Sequence, residues 1–358
     1  MKLPSREKIR RLFFQITGLL LATATLFLIV FAIFGHTVRD RTIALAFMMY
    51  IPLLPLGIGA IMLDLLLRGR SLSNFRFGLS IIGILLIVWG YFSMTGAEEF
   101  QANTAIAGDS MAPNTTSLLH WNVNWGGVGY DDTLKNQSEG KEWASIREDI
   151  YPRHPDIIVL NEPPQLDAWL EQLTQQMGEK WSILKHYRTK RNGIAIASAW
   201  PLKLERLVKI RNGAAISVVV TVRKQPLRLL LVDGERSVRK LRTPLLTDII
   251  QAAIDSDKQG QPVDMIVGDF NAVSRSVGFD TYATAAGGYQ LAGKATHGWR
   301  GTWPSISPMF DFDSMFDIDH VWIHKRFQIL HVEMFSHPNT DHRGQQLYFN
   351  LPKPPTKS

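Results

Sequence analysis

The sequence predicts an α/β domain with mixed sheets, carried behind three transmembrane helices. Three observations predict it. Three long apolar runs, residues 13–35, 43–67 and 78–94, lack the polar stripe that a soluble core helix shows. From residue 117 onward, short runs rich in Val, Ile and Leu are interleaved with helical patterns. Several of those short runs end in carboxylates, amides or imidazoles, whereas buried strands normally end in turns that need none.

A membrane span needs about 20 apolar residues at the helical rise. The first two runs suffice and the third is marginal. The alternative, core helices of a soluble domain, is disfavoured by the missing stripe, and a cleavable signal peptide by the length of the first run and the two that follow it. Pro52 and Pro55 predict a kink in the second run, and Asp64 is expected to pair with Arg68 one turn later. Residues 13–94 are thus expected to meet a lipid bilayer, and residues 1–94 to form an anchor.

The loops set the orientation. Lys2, Arg6, Lys8, Arg10 and Arg11 precede the first run, and Arg68, Arg70 and Arg76 follow the second. By the positive-inside rule both segments are cytoplasmic, and an odd number of spans places everything after Met94 outside the cytoplasm. The first 97 residues hold ten Lys/Arg against three Asp/Glu, which accounts for the whole net charge of +7; the remaining residues balance at 29 against 29. The basic character therefore reports topology, and a non-specific polyanion binder is disfavoured. The absence of cysteine fits an extracytoplasmic domain without disulfides and fits a cytosolic one as well.

Residues 95–116 turn small and polar, the composition of a flexible tether reaching roughly 25 Å. Residues 117–358 form the second domain. Its strand candidates are SLLHWNV, DIIVLNE, GIAIAS, AAISVVVTV, LRLLLVD, DMIVGDF, IDHVWI and FQILHVEMF, with helical patterns over residues 141–151, 165–177 and 241–253.

The ordered set WNVN (121–124), DIIVLNE (156–162), GIAIAS (193–198), GDFN (268–271), FDIDHVWI (316–323) and TDHR (340–343) resembles the endonuclease/exonuclease/phosphatase superfamily across residues 117–351. GWRGTWP (298–304) further resembles membrane-attached bacterial members. The resemblance implies a four-layer α/β/β/α sandwich, a Mg²⁺ or Mn²⁺ site and hydrolysis of a phosphoester. With the spans, it implies an integral protein of the bacterial inner membrane whose catalytic domain is periplasmic or extracellular.

The residues carry that chemistry on their own terms. Glu162 is a lone carboxylate ending an apolar run, costly unless a cation or hydrogen bonds compensate it, and is the principal metal-ligand candidate; a surface Glu before Pro163 and Pro164 is the alternative. Asp269 and Asn271 fall on one face of an extended segment, where the carboxylate can orient or deprotonate a water and the amide can position it; a turn using both for backbone hydrogen bonds is the alternative. Asp319 and His342 form a carboxylate–imidazole pair, with His342 acting as base or as electrostatic partner of the phosphoryl oxygens. By resemblance, Asp341 is a second metal-proximal carboxylate and Asn122 the first-strand amide near metal or phosphate. Asn124 occupies a position that some nucleases fill with Asp, so its hold on a metal is weaker. His120 reads as a core histidine and His320 as structural, on the opposite face from Asp319.

One departure stands out. Where many members end a strand with a His that protonates the leaving group, this chain has Asp233-Gly234-Glu235, and Asp233 serves only if its pKa is raised. Arg236, Arg239, Lys240 and Arg242, and Arg188, Lys190 and Arg191, either line a phosphate cleft or form a solvated surface. The substrate class is a phosphoester, either nucleic acid or a phospholipid headgroup, and no protein partner is indicated. A non-catalytic binding module that retains the fold is the competing reading, motivated by Asn124 and the missing His.

Overall fold

The computed structural model describes residues 6–67, 77–96, 115–127, 141–164, 169–178, 180–189, 192–237, 239–305 and 314–352. The chain divides into two compact units, Met1–Met94 and Thr95–Ser358. Most of the expected tether, and Arg68, Arg70 and Arg76 of the expected cytoplasmic loop, lie outside the described residues.

The first unit holds α1 (Arg6–Val38), α2 (Ile43–Met49), α3 (Leu53–Leu67) and α4 (Gly78–Met94). Three complete spans were expected, and the helices correct this: among the described residues, only α1 is by itself long and apolar enough to cross a membrane. The second run is broken into α2 and α3, bent by 62°. Pro52, at the break, lacks an N–H, and the residue before a proline is pushed out of helical backbone. α4 has 17 residues, about 25 Å of helix against a hydrocarbon core of about 30 Å. α3 and α4 pack closely through Gly57 and Gly83: a Cβ on Gly57 would lie 2.5 Å from the Gly83 carbonyl oxygen. Asp64 accepts from the backbone N–H (3.2 Å) and the hydroxyl of Ser80, and Arg68, its expected partner, lies outside the described residues.

The second unit is a mixed α/β fold with two six-stranded sheets. The first runs β11 (Gln328–Phe335), β12 (Gly344–Asn350), β1 (Thr115–Asn122), β2 (Ile157–Asn161), β4 (Asn192–Ser198), β3 (Ser182–Thr189). The second runs β5 (Leu202–Val208), β6 (Gly213–Val222), β7 (Gln225–Gly234), β8 (Met265–Asp269), β10 (Asp319–His324), β9 (Tyr289–Leu291). Among the described residues, three α-helices accompany them: α5 (Lys141–Ile150), α6 (Trp169–Met177) and α7 (Thr243–Lys258).

Strand periodicity explains the layering. In β8, Met265 and Val267 face the core shared by the two sheets, while Ile266 faces α7. In β2, Ile157 and Val159 face the shared core, while Ile158 and Leu160 pack among Trp143, Trp169 and Trp181 on the α5 and α6 side. Strands buried on both faces read as unbroken apolar runs, which is why these were visible in the sequence. Their polar ends remain, and those of β1, β2, β7, β8 and β10 converge.

Candidate active site

Register brings the polar ends together. Asp269 pairs with Asp319 across β8 and β10 and with Asp233 across β8 and β7. In the other sheet, Asn122 pairs with Asn161 across β1 and β2. Gly268 makes this approach possible: its φ is +153°, and a Cβ there would lie 1.8 Å from the Val232 carbonyl oxygen of β7.

Side chains then join the sheets. Asn122 Nδ2 donates to Asp269 Oδ2 at 3.0 Å. The Asp269 N–H donates to Asn161 Oδ1 at 3.1 Å, and Asn161 Nδ2 donates to the Val232 carbonyl at 2.8 Å. His120 lies behind Asn161, its Nε2 2.8 Å from Asn161 Oδ1 and its Nδ1 3.2 Å from Gln345 Nε2. Since the Gln345 amide can only donate, His120 carries its proton on Nε2, and burial lowers its pKa. It is a satisfied core histidine, as is His320, whose ring N–H donates to the Ala272 carbonyl at 2.7 Å.

Asp269 and Asn271 do meet, by a different geometry from the extended segment expected. Asn271 has φ +50°, a left-handed turn, and folds back so that its N–H reaches Asp269 Oδ1 at 2.7 Å and its amide reaches Oδ2 at 3.1 Å. Glu162 is also left-handed, with φ +48°. Such backbone costs on the order of 1–3 kcal/mol per residue and gathers at functional sites.

His342 Nδ1 and Asp319 Oδ2 lie 2.8 Å apart. Burial opposes charge on His342, but the Asp319 carboxylate, with Asp269 and Asp341 behind it, raises its pKa to about 10. Burial and the Asp319 charge push Asp269 up to about 8. Burial raises the pKa of Glu162, which is 8% exposed, against the lowering charges of His342 and Arg236, and Asp341 raises it further. Asp341 is exposed and accepts from Trp303 Nε1 at 3.1 Å. Asn124 is tied in through its backbone N–H, which donates to Asn122 Oδ1 at 3.0 Å.

Asp233 meets its condition: burial, then Glu162 and Asp269, raise its pKa well above the carboxylate range. It is 1% exposed and accepts the Gly193 N–H at 2.7 Å, which makes it a tie between β7 and β4. Of the basic residues, Arg242 is buried and donates to backbone carbonyls of Asn271 and Glu235, and Lys240 pairs with Glu235. Arg236 and Arg239 are exposed. The side chains of Arg188, Lys190 and Arg191 lie outside the described residues.

Two residues escaped the sequence reading. Asn161 is flanked by apolar Leu160 and by Glu162, and Thr302, inside GWRGTWP, accepts the N–H groups of Ile318 and Asp319 at 3.1 and 3.2 Å. A polar residue inside a buried run was the available signal for the first; nothing local marked the second.

The donor set fits a hard divalent cation. Carboxylates of Glu162, Asp233, Asp269, Asp319 and Asp341 converge against His342 and Arg236, and Asp319 Oδ1 is buried without a hydrogen-bond partner. Ligand atoms of Asp269, Asp319 and His342 lie within 4.8 Å of one another. A protonated imidazole bound to Asp319 is a poor ligand, so the carboxylates are the better donors.

A strand-end cluster of carboxylates and amides with a histidine–aspartate pair, at the edge of two packed sheets, defines a phosphoesterase-like class. The Endonuclease/Exonuclease/phosphatase family model matches residues 119–342, more than half the chain, and the chain belongs to that family. Similar solved structures include an endonuclease/exonuclease/phosphatase family protein from Bacteroides thetaiotaomicron (11% identity, 67% of this chain and 98% of that one, TM-score 0.49). The human nocturnin catalytic domain with bound sulfate matches at 14% identity over 67% and 96%, TM-score 0.45. A Bacteroides thetaiotaomicron mannosyl-6-phosphatase matches at 11% over 66% and 100%, TM-score 0.48. No curated protein matches the chain. The assignment rests on the family model.

Proposed function

We propose that the chain is a membrane-tethered phosphoesterase, dependent on Mg²⁺ or Mn²⁺, that hydrolyses a phosphodiester outside the cytoplasm. The observation that carries this is the convergence of the buried carboxyl groups of Glu162, Asp269 and Asp319, with exposed Asp341 beside them, on one charged histidine: buried carboxylates in surplus are costly until a cation joins them.

Glu162 and Asp341 would hold the metal, with Asn124 at its margin, and bound there it would supply polarisation of the phosphoryl group. Asp269, fixed by three donors from Asn122 and Asn271, orients the attacking water. Asn271 and Asn122 keep it in place. His342, charged through Asp319, offsets the negative charge that grows on the phosphoryl oxygens.

The apolar, exposed surface of α1, with Phe13, Leu20 and Phe27 all more than half exposed, supports the tether. The charge distribution supports a cytoplasmic N-terminus; with α1 as the single span, the catalytic unit lies outside the cytoplasm, at the inner membrane of a bacterium. The full chain in detergent, assayed with Mg²⁺ or Mn²⁺ against EDTA on a chromogenic phosphodiester, plasmid DNA and sphingomyelin, tests the reading. Metal-dependent turnover is expected, and the preferred substrate separates nucleic acid from lipid headgroup. A folded chain inert on all three favours the non-catalytic module.

A further inference from the structure

Among the described residues of the Thr95–Ser358 unit, the large apolar side chains left exposed are Leu204, at 45%, and Leu207, at 61%. Both lie on β5, an edge strand. Their odd spacing would send them to opposite faces of a regular strand. A bulge between Leu204 and Arg206 restores the phase. Leu204 pairs with Val218 and Leu207 with Ile216, two residues apart on β6, so the two leucines share a face.

Charge frames the pair. Lys203, which pairs with Val219 and so starts from the other face of the strand, and Lys209, just past the strand, flank it in sequence and are exposed. Glu205, the acid of the strand, is taken up by the Ser217 hydroxyl at 2.8 Å and by Arg228 at 3.0 Å. The nearby acid Asp248, on α7, is paired with Arg211 at 2.7 Å. A bulged edge bearing lysines resists addition of another strand. Exposed apolar side chains with lysines close by in the strand suit the anionic face of a bilayer, where the apolar groups enter the headgroup boundary and the ammonium groups meet phosphate.

We propose that β5 docks the catalytic unit on an anionic lipid surface through Leu204 and Leu207, with Lys203 and Lys209 on the headgroups. This rests on the membrane-tethered reading above and adds to it a second contact, one that holds the unit in a fixed pose on the membrane.

The chain has no cysteine, so a single Leu207→Cys can carry a fluorophore, with Glu171→Cys, an exposed site on α6, as control. The full chain is placed in vesicles containing brominated lipid, with or without phosphatidylglycerol. Quenching at 207 and not at 171 in anionic vesicles is expected, with the docked-to-undocked ratio falling about fivefold for each of Lys203→Gln and Lys209→Gln. Equal quenching at both sites, or a contrast indifferent to phosphatidylglycerol, overturns the proposal. Coupling between labels at 207 without lipid quenching overturns it in favour of a second copy of the chain. Carbonate extraction and hydrolysis are read on the same vesicles, so loss of the anchor or of activity is seen apart from the quenching contrast, which alone decides the docking.

Discussion

Asn161 is the residue on which the two sheets meet. Its one oxygen accepts from His120 and from the Asp269 backbone, and its amide donates to Val232, so removing it strands three buried groups at once. Asn161→Leu is expected to cost roughly 2–4 kcal/mol, read from urea unfolding, and to lower turnover because Asp269 loses its backbone tether; unchanged stability would refute this role. His320 gives a pH signature. Burial lowers its folded pKa below the unfolded 6.5, so the unfolded chain takes the proton first. Stability is therefore full above about pH 6.5 and is lost as pH falls toward the folded value. His320→Gln keeps a donor for Ala272 and cannot titrate, so its urea midpoint should depend less on pH between 8 and 5; identical profiles would contradict the account. At this scale, Glu162, Asp269, Asp319 and His342 were legible because charges ending apolar runs need a reason. Asn161 and Thr302 were not, because their partners lie far along the chain or on backbone that no side-chain pattern marks.

Elements divide in the same way. β2 and β8 are continuous apolar runs and could be read directly, whereas β3, β5 and β12 carry Lys185, Lys203 and Glu205, and Gln345 and Gln346, which break the pattern. Gln346 is buried because its amide donates to the Arg153 carbonyl at 2.9 Å, and Gln345 because it holds His120; no local window contains those partners. The second apolar run was long enough on paper, but its prolines divide it into α2 and α3. β8 depends on one residue. Gly268→Ala would drive a Cβ into the Val232 carbonyl and is expected to cost about 3 kcal/mol or to prevent folding, as seen by circular dichroism and thermal unfolding. A variant of native stability would mean that β7 and β8 are less closely held than described.

For the whole molecule, charge and hydropathy are partitioned: the N-terminal residues hold the entire +7, and the remainder is neutral overall while gathering five of its carboxyl groups at one site. That concentration is the central claim, and it makes metal dependence the property to measure. The most direct measurement is hydrolysis of a chromogenic phosphodiester by the full chain as Mn²⁺ is titrated in, for the natural sequence and for Glu162→Gln. The expected result is saturable activation, reversed by EDTA, with turnover at least about a hundredfold lower in the variant. Turnover indifferent to metal, or equal in both chains, would contradict it.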